Sequence, residues 1–289
     1  MYHDLFSCDK SESGFQNCTA LKYKVSAEAF EAQVHAIADY IKSAHLQSDY
    51  IDFTFDDGGV SFLTIAAPIL EKYDFKGKFY ISTAYLGTKG FLNKEQVREL
   101  HQRGHHIGSH SHTHPERMDV LTIDNIKDEW NISQSILKGI LGFAPRLASI
   151  PNGYASKTVI EGMLDAGIAL VDTSAITTQI KHYKSATLRG RYAITEDTTV
   201  DNLLKLVSSP FYRFKKRVRY EILVLNERII PALSNALRKA SFDTETTTPT
   251  LYSLPTFIIS CVPAVRATYF KYSPLSLKNK SKNSACSIS

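Results

Sequence analysis

The chain has 289 residues, 43% of them apolar, and a formal net charge of +5. Beyond Glu245 there is no acid, and Arg266, Lys271, Lys278, Lys280 and Lys282 account for the whole surplus. The rest is near neutral, which argues against a nucleic-acid protein. The scattered Cys8, Cys18, Cys261 and Cys286 form no CxxC pair, so a cysteine zinc site is not expected.

The start, MYHDLFSCDK, lacks a basic segment followed by an apolar run. No secretory signal is expected there, and a cytoplasmic location follows. Ile51–Phe55 reads as a buried strand running into Asp-Asp-Gly-Gly. Ser61 is placed to cap a helix reaching Tyr73, and Lys78–Ile81 is a second strand. Asn93 with Gln96 forms a capping box that opens a helix to Arg103. His105–Gly108 is a short strand. Ile123–Leu141 is a long helix, with Ile126, Trp130, Ile132, Ile136, Leu137 and Ile140 at helical spacing.

Arg146–Ile150 is another strand, stopped by Pro151-Asn152-Gly153. Ser156 caps a helix that ends at Gly167, and Ile168–Val171 is again a strand. Alternating strands and helices with short links predict a parallel α/β architecture. Leu203–Val207 is one more helix. Phe214–Ala240 reads as a basic amphipathic helix interrupted at Pro231, for which packing on the domain is favoured over peripheral membrane contact. The apolar stretch Leu254–Val265 is broken by Pro255 and Pro263 and too short to span a bilayer. The organisation expected is a domain over 1–205, a helical extension over 206–240 and a disordered tail over 241–289.

Residues 104–115, GHHIGSHSHTHP, hold five of the ten histidines. Such a tract is by itself only compositional. Asp56 and Asp57 end one strand and the tract follows another, so both can meet at the C-terminal edge of a parallel sheet. Alone, the Asp-Asp-Gly run is equally good turn chemistry. His110 and His114, four residues apart, can point the same way, whereas His105, His106 and His112 are read as ordinary histidines. One aspartate with two histidines leaves an open coordination position, the layout of a catalytic divalent metal site.

Thr54-Phe55-Asp56-Asp57-Gly58-Gly59 resembles the TFDDG motif of the polysaccharide deacetylases, carbohydrate esterase family four. His110-Ser111-His112-Thr113-His114-Pro115 is similar to that family's H-[ST]-x-x-H-P motif. The resemblance implies a distorted (β/α) barrel of about seven strands. It makes Asp57, His110 and His114 ligands of a divalent metal, usually zinc, and Asp56 the base that activates the attacking water. In Ser149-Ile150-Pro151-Asn152-Gly153, similar to the family's R-x-P-Y-G motif, the Asn152 N–H would hold the oxyanion. Ser149 stands where the motif has arginine, and Arg191 in LRGRYAI is the candidate replacement. The family's late L-x-H motif, source of its acid histidine, is missing.

Met1-Tyr2-His3-Asp4 resembles the start of members that deacetylate poly-N-acetylglucosamine exopolysaccharides, which would make His3 the general acid, with His182 next in line. The implied function is metal-dependent removal of N-acetyl groups from N-acetylglucosamine-containing poly- or oligosaccharide. The alternatives are an amidase acting on non-sugar C–N bonds, and a catalytically impaired carbohydrate-binding homologue.

Overall fold

Seven short strands pair into one curled sheet that forms a half-barrel, in a computed structural model describing residues 1–222. In chain order the elements are β1 (Asp4–Phe6), α1 (Cys18–Leu21), β2 (Lys24–Ser26), α2 (Ala27–Ser43), β3 (Phe53–Phe55), α3 (Ala67–Lys72), β4 (Gly77–Ile81), α4 (Lys94–Gln102) and β5 (His106–Ser109). They continue with α5 (Ile123–Leu141), β6 (Leu147–Ser149), α6 (Lys157–Asp165), β7 (Leu170–Asp172), β8 (Lys181–Tyr183), β9 (Ala186–Arg189) and α7 (Val200–Ser208). Residues 210–222 are also helical. The remainder of the expected helix to Ala240, and the expected tail, lie outside the described residues.

The sheet order is β3-β4-β5-β6-β7-β9-β8, parallel except for the β8–β9 hairpin. A parallel sheet covered by helices buries both faces of its strands. Successive residues, which point to opposite faces, are accordingly all buried: Phe53, Thr54 and Phe55 on β3, and Phe79, Tyr80 and Ile81 on β4. The open side of the curl is bridged by the N-terminal segment. Tyr2 N–H donates to the Thr54 carbonyl at 2.7 Å, and Asp56 N–H donates to the Tyr2 carbonyl at 3.1 Å. On the other side Ile194 N–H donates to the Met1 carbonyl at 2.9 Å. His3 is thereby carried to the same end of the barrel as Asp56.

Most expected elements occur within a few residues of their expected bounds, and three differ in instructive ways. Ser61 does not cap the helix after it. Its hydroxyl donates to Asp4 Oδ1 at 2.9 Å and accepts from Leu5 N–H at 3.1 Å, because the buried Asp4 carboxylate needs donors. Ile132 is exposed although it lies near the apolar spacing of α5, whose buried face is Ile126, Trp130, Leu137 and Ile140. Helix α2 has no counterpart in the expected elements. It is N-capped by Ser26 and packs Phe30, Val34, Ile37 and Ile41 into the core.

Candidate metal centre and active site

Every parallel strand ends on the same edge, and that edge builds the site. Asp56 and Asp57 follow β3, His110 follows β5, Ser149 ends β6, and Arg191 lies two residues past β9. The turn after β3 is tight. Asp57 has φ +89° and Gly58 φ +98°, a left-handed pair that a β-branched residue would resist. That backbone turns the two neighbouring carboxylates to different partners.

Asp57 Oδ1 lies 3.4 Å from Nε2 of both His110 and His114. Among the described residues this is the one trio of His, Cys, Asp or Glu whose ligand atoms all lie within 4.8 Å of one another. The separation is long for a hydrogen bond. It fits donors sharing one cation, because ligands about 2.0–2.2 Å from a common tetrahedral centre sit roughly 3.4 Å apart. The tautomer agrees: His110 Nδ1–H donates to the Ser149 carbonyl at 2.9 Å, so Nε2 keeps its lone pair for the site. The residues present therefore fit a divalent cation.

The histidine loop is not helical. Ser111 (φ +64°) and His114 (φ +57°) both take left-handed backbone, and the loop is held from α5. Glu129 Oε2 accepts the N–H groups of His112 and Thr113 at 2.9 and 2.8 Å, and its Oε1 accepts the Thr113 hydroxyl at 2.6 Å. Ser133 bonds Ser109 at 2.7 Å, and the Ser109 hydroxyl accepts Ser111 N–H at 3.2 Å. Nothing in the sequence motifs pointed to Glu129. Its only signal is position on the helix that follows the tract.

Asp56 is clamped. Arg191 donates Nη1–H to Oδ1 at 2.7 Å and Nη2–H to Oδ2 at 2.8 Å. The Ser149 hydroxyl donates to Oδ2 at 3.0 Å and accepts from Arg191 Nη2–H at 3.0 Å. Both charged residues are buried. Burial alone would raise the Asp56 pKa, but the Arg191 and His110 charges outweigh it and hold the carboxyl at about 2. Burial is likewise overcome at Asp57, held well below the usual carboxylate range by the nearness of His110 and His114. At His110, Asp56 and Asp57 overcome burial and raise the pKa. A proton and a cation compete for His110 Nε2, so cation affinity falls as pH drops through the histidine range.

The remaining histidines separate clearly. His3 lines the cleft with Asp56, Asp57, His110 and His114. Its ring lies 4.6 Å from that of Tyr23, and its buried Nδ1 has no partner among the described residues. Burial lowers its pKa, opposed by the Asp57 and Asp56 carboxylates. His105 is held elsewhere, accepting Gly77 N–H at 3.0 Å and facing Glu71 at 3.1 Å. His106 is exposed, and His112 bonds Thr83 at 3.0 Å. His182 sits exposed on the β8–β9 hairpin and does not line the cleft. Asn152, at φ +53° in the Pro151–Gly153 turn, does line it. The cleft holds about 900 Å³ and carries aromatic walls from Phe15, Tyr23, Tyr85 and Tyr192.

Residues 43–171 match the family model described as polysaccharide deacetylase. Chitin deacetylase of Colletotrichum lindemuthianum is 23% identical over 142 residues, 49% of this chain and 57% of that protein. Peptidoglycan-N-acetylglucosamine deacetylase PgdA of Listeria monocytogenes is 28% identical over 136 residues, 46% of this chain and 27% of that protein. The matches thus span less than two thirds of these relatives' own lengths. Two solved structures share the fold. Streptococcus pyogenes deacetylase PplD superposes with a TM-score of 0.56 at 21% identity, covering 72% of this chain and 96% of that one. IcaB from Ammonifex degensii gives 0.53 at 19% identity, covering 72% and 97%. Residues 43–171 thus match a polysaccharide deacetylase domain, and the chain has the fold of these two solved structures.

Proposed function

We propose that the chain removes N-acetyl groups from N-acetylglucosamine-containing poly- or oligosaccharide, using a divalent cation, zinc first, held by Asp57, His110 and His114. The observation that carries this reading is the meeting of that trio with a clamped, ionised Asp56 at one end of a single cleft. When bound, such a cation acidifies water and polarises a carbonyl. Asp56 receives the proton of the attacking water. With its pKa held near 2, it is ionised at every working pH but takes a proton only from an acidified donor. Arg191 and Ser149 fix its two oxygens. The Asn152 N–H is assigned to the oxyanion, and His3 to protonation of the leaving amine.

Both curated relatives described above are named for polymers of N-acetylated sugars, which supports the substrate class. The exopolysaccharide type is supported by the Tyr2-His3-Asp4 start and by the place of His3 in the cleft. The alternative of a catalytically impaired homologue has two motives, Ser149 standing where the motif has arginine and the altered composition of the tail. Against the first, Arg191 brings a guanidinium to Asp56 from the far side of the barrel and the small Ser149 bridges the pair; the tail lies outside the described residues.

Metal analysis tests the ligand set. The protein is expected to hold one divalent ion per chain, His110→Ala and His114→Ala to lose it, and His105→Ala to keep it. Full retention in the first two, with loss in His105→Ala or His106→Ala, would move the site to other histidines. Glu129→Gln tests the support of the loop. It keeps the shape but removes the charge from all three bonds to the loop, and chelator competition is expected to read an affinity about 10–100-fold lower. Parent-like affinity would mean that the loop holds its shape without Glu129.

A further inference from the structure

The helix over residues 210–222 has two different faces. Its inward face is tied to the domain. Tyr212 OH donates to Asn202 Oδ1 at 3.2 Å, and Arg213 Nη1–H donates to the carbonyls of Leu206 and Val207 at 2.8 and 2.7 Å. Lys216 and Tyr220 line the cleft that holds the aspartates and histidines. The outward face carries Phe211, Phe214, Val218 and Ile222, at i, i+3, i+7 and i+11, which is one stripe of an α-helix. These side chains are 76%, 62%, 37% and 53% exposed.

Cations flank the stripe. On a helical projection Lys215 and Arg219 border one side and Arg217 the other. The one acid of the helix, Glu221, is already paired with Arg217 at 2.8 Å. A contiguous exposed apolar stripe is uncommon on a soluble surface and marks an interaction site. An anionic polymer would use the cations and leave the phenylalanines idle. An apolar stripe with basic borders is the layout of a helix lying in a membrane interface, apolar face down and cations at the headgroups. Among the described residues no helix is long and apolar enough to cross a membrane, so contact through this helix would be peripheral.

We propose that the helix over residues 210–222 docks the protein on an anionic lipid surface through Phe211, Phe214, Val218 and Ile222, with Lys215 and Arg219 at the headgroups. This inference stands independently of the proposed reaction.

The test is co-sedimentation of the full chain with protein-free vesicles of phosphatidylcholine, alone or mixed with phosphatidylserine. Binding is expected to be at least about tenfold stronger with phosphatidylserine present and to weaken as salt is raised. The double substitution Phe211→Ser with Phe214→Ser is expected to lower binding about tenfold, with thermal midpoint and metal content unchanged. Lys215→Glu with Arg219→Glu is expected to abolish the preference for phosphatidylserine. Absence of binding to the mixed vesicles at low salt would overturn the proposal, as would binding indifferent to the phenylalanine substitutions. So would a concentration-dependent dimer that those substitutions dissolve, since the stripe would then belong to a second copy.

Discussion

Asp56→Asn is expected to retain metal and fold and to lose turnover by about 10²–10⁴-fold, the range typical of a general base. The amide is nearly isosteric and keeps one acceptor oxygen for Arg191 Nη2–H and the Ser149 hydroxyl, but it gives up the charge that pairs with Arg191 and cannot take the proton of water at neutral pH. Removing the carboxylate altogether is a poorer test. Asp56 and Arg191 are a buried pair, and a buried charge left without its partner costs about 3–5 kcal/mol. Both substitutions leave Arg191 without its anion, but Asp56→Ala also removes every hydrogen-bond acceptor and opens a cavity, so it confuses lost chemistry with lost stability far more. Thermal midpoint and metal content, measured beside the rate, separate the two for Asp56→Asn. Parent-like turnover in the metal-loaded variant would remove Asp56 from the base role.

His3→Ala is the second large effect expected. An amine leaving a tetrahedral centre needs a proton, because the amide anion is a very poor leaving group. His3 lines the same cleft as Asp56, and its buried Nδ1 lacks a partner among the described residues. Burial makes the neutral ring its favoured form, while Asp57 and Asp56 pull towards the imidazolium, so the ring can take up a proton during turnover and release it. His3→Ala is expected to keep its metal and lose about 10²–10⁴-fold on an amide substrate. The loss should shrink on an activated ester, whose leaving group needs less protonation. An unchanged amide rate would place the acid elsewhere. His182, exposed on the β8–β9 hairpin and absent from the cleft lining, is a poor replacement.

The architecture was readable because burial on both faces writes short continuous apolar runs into the sequence. Ile51–Phe55, Lys78–Ile81 and Ile168–Val171 all mark sheet strands within a residue or two. The bounds of helix α5 were legible from its periodic apolar residues, although Ile132, counted among them, is exposed. Helix α2 was not, although its Ser26 cap and its Phe30, Val34, Ile37 and Ile41 carry the same kind of signal. The β8–β9 hairpin is too short and too exposed to leave a pattern.

At the site, adjacency in sequence marked Asp56 with Asp57 and His110 with His114, but not how the two pairs divide the work. That division depends on the left-handed turn at Asp57, which separates neighbouring carboxylates between histidines and a guanidinium. The spacing of His110 and His114 fitted either a helical turn or a tight loop, and the chain takes the loop, converging through positive φ at Ser111 and His114. Glu129 and the bridging hydroxyl of Ser149 act through contacts distant in the chain, which no local pattern encodes.

Acetate release from N-acetylglucosamine oligomers, followed before chelation, after chelation and after return of one equivalent of zinc, tests the central claim most directly. The account expects release by the untreated protein, loss with the chelator, recovery with the metal, and none of these in metal-loaded Asp56→Asn. Release that persists after complete removal of metal, or that the Asp56→Asn protein sustains at the parent rate, would contradict it.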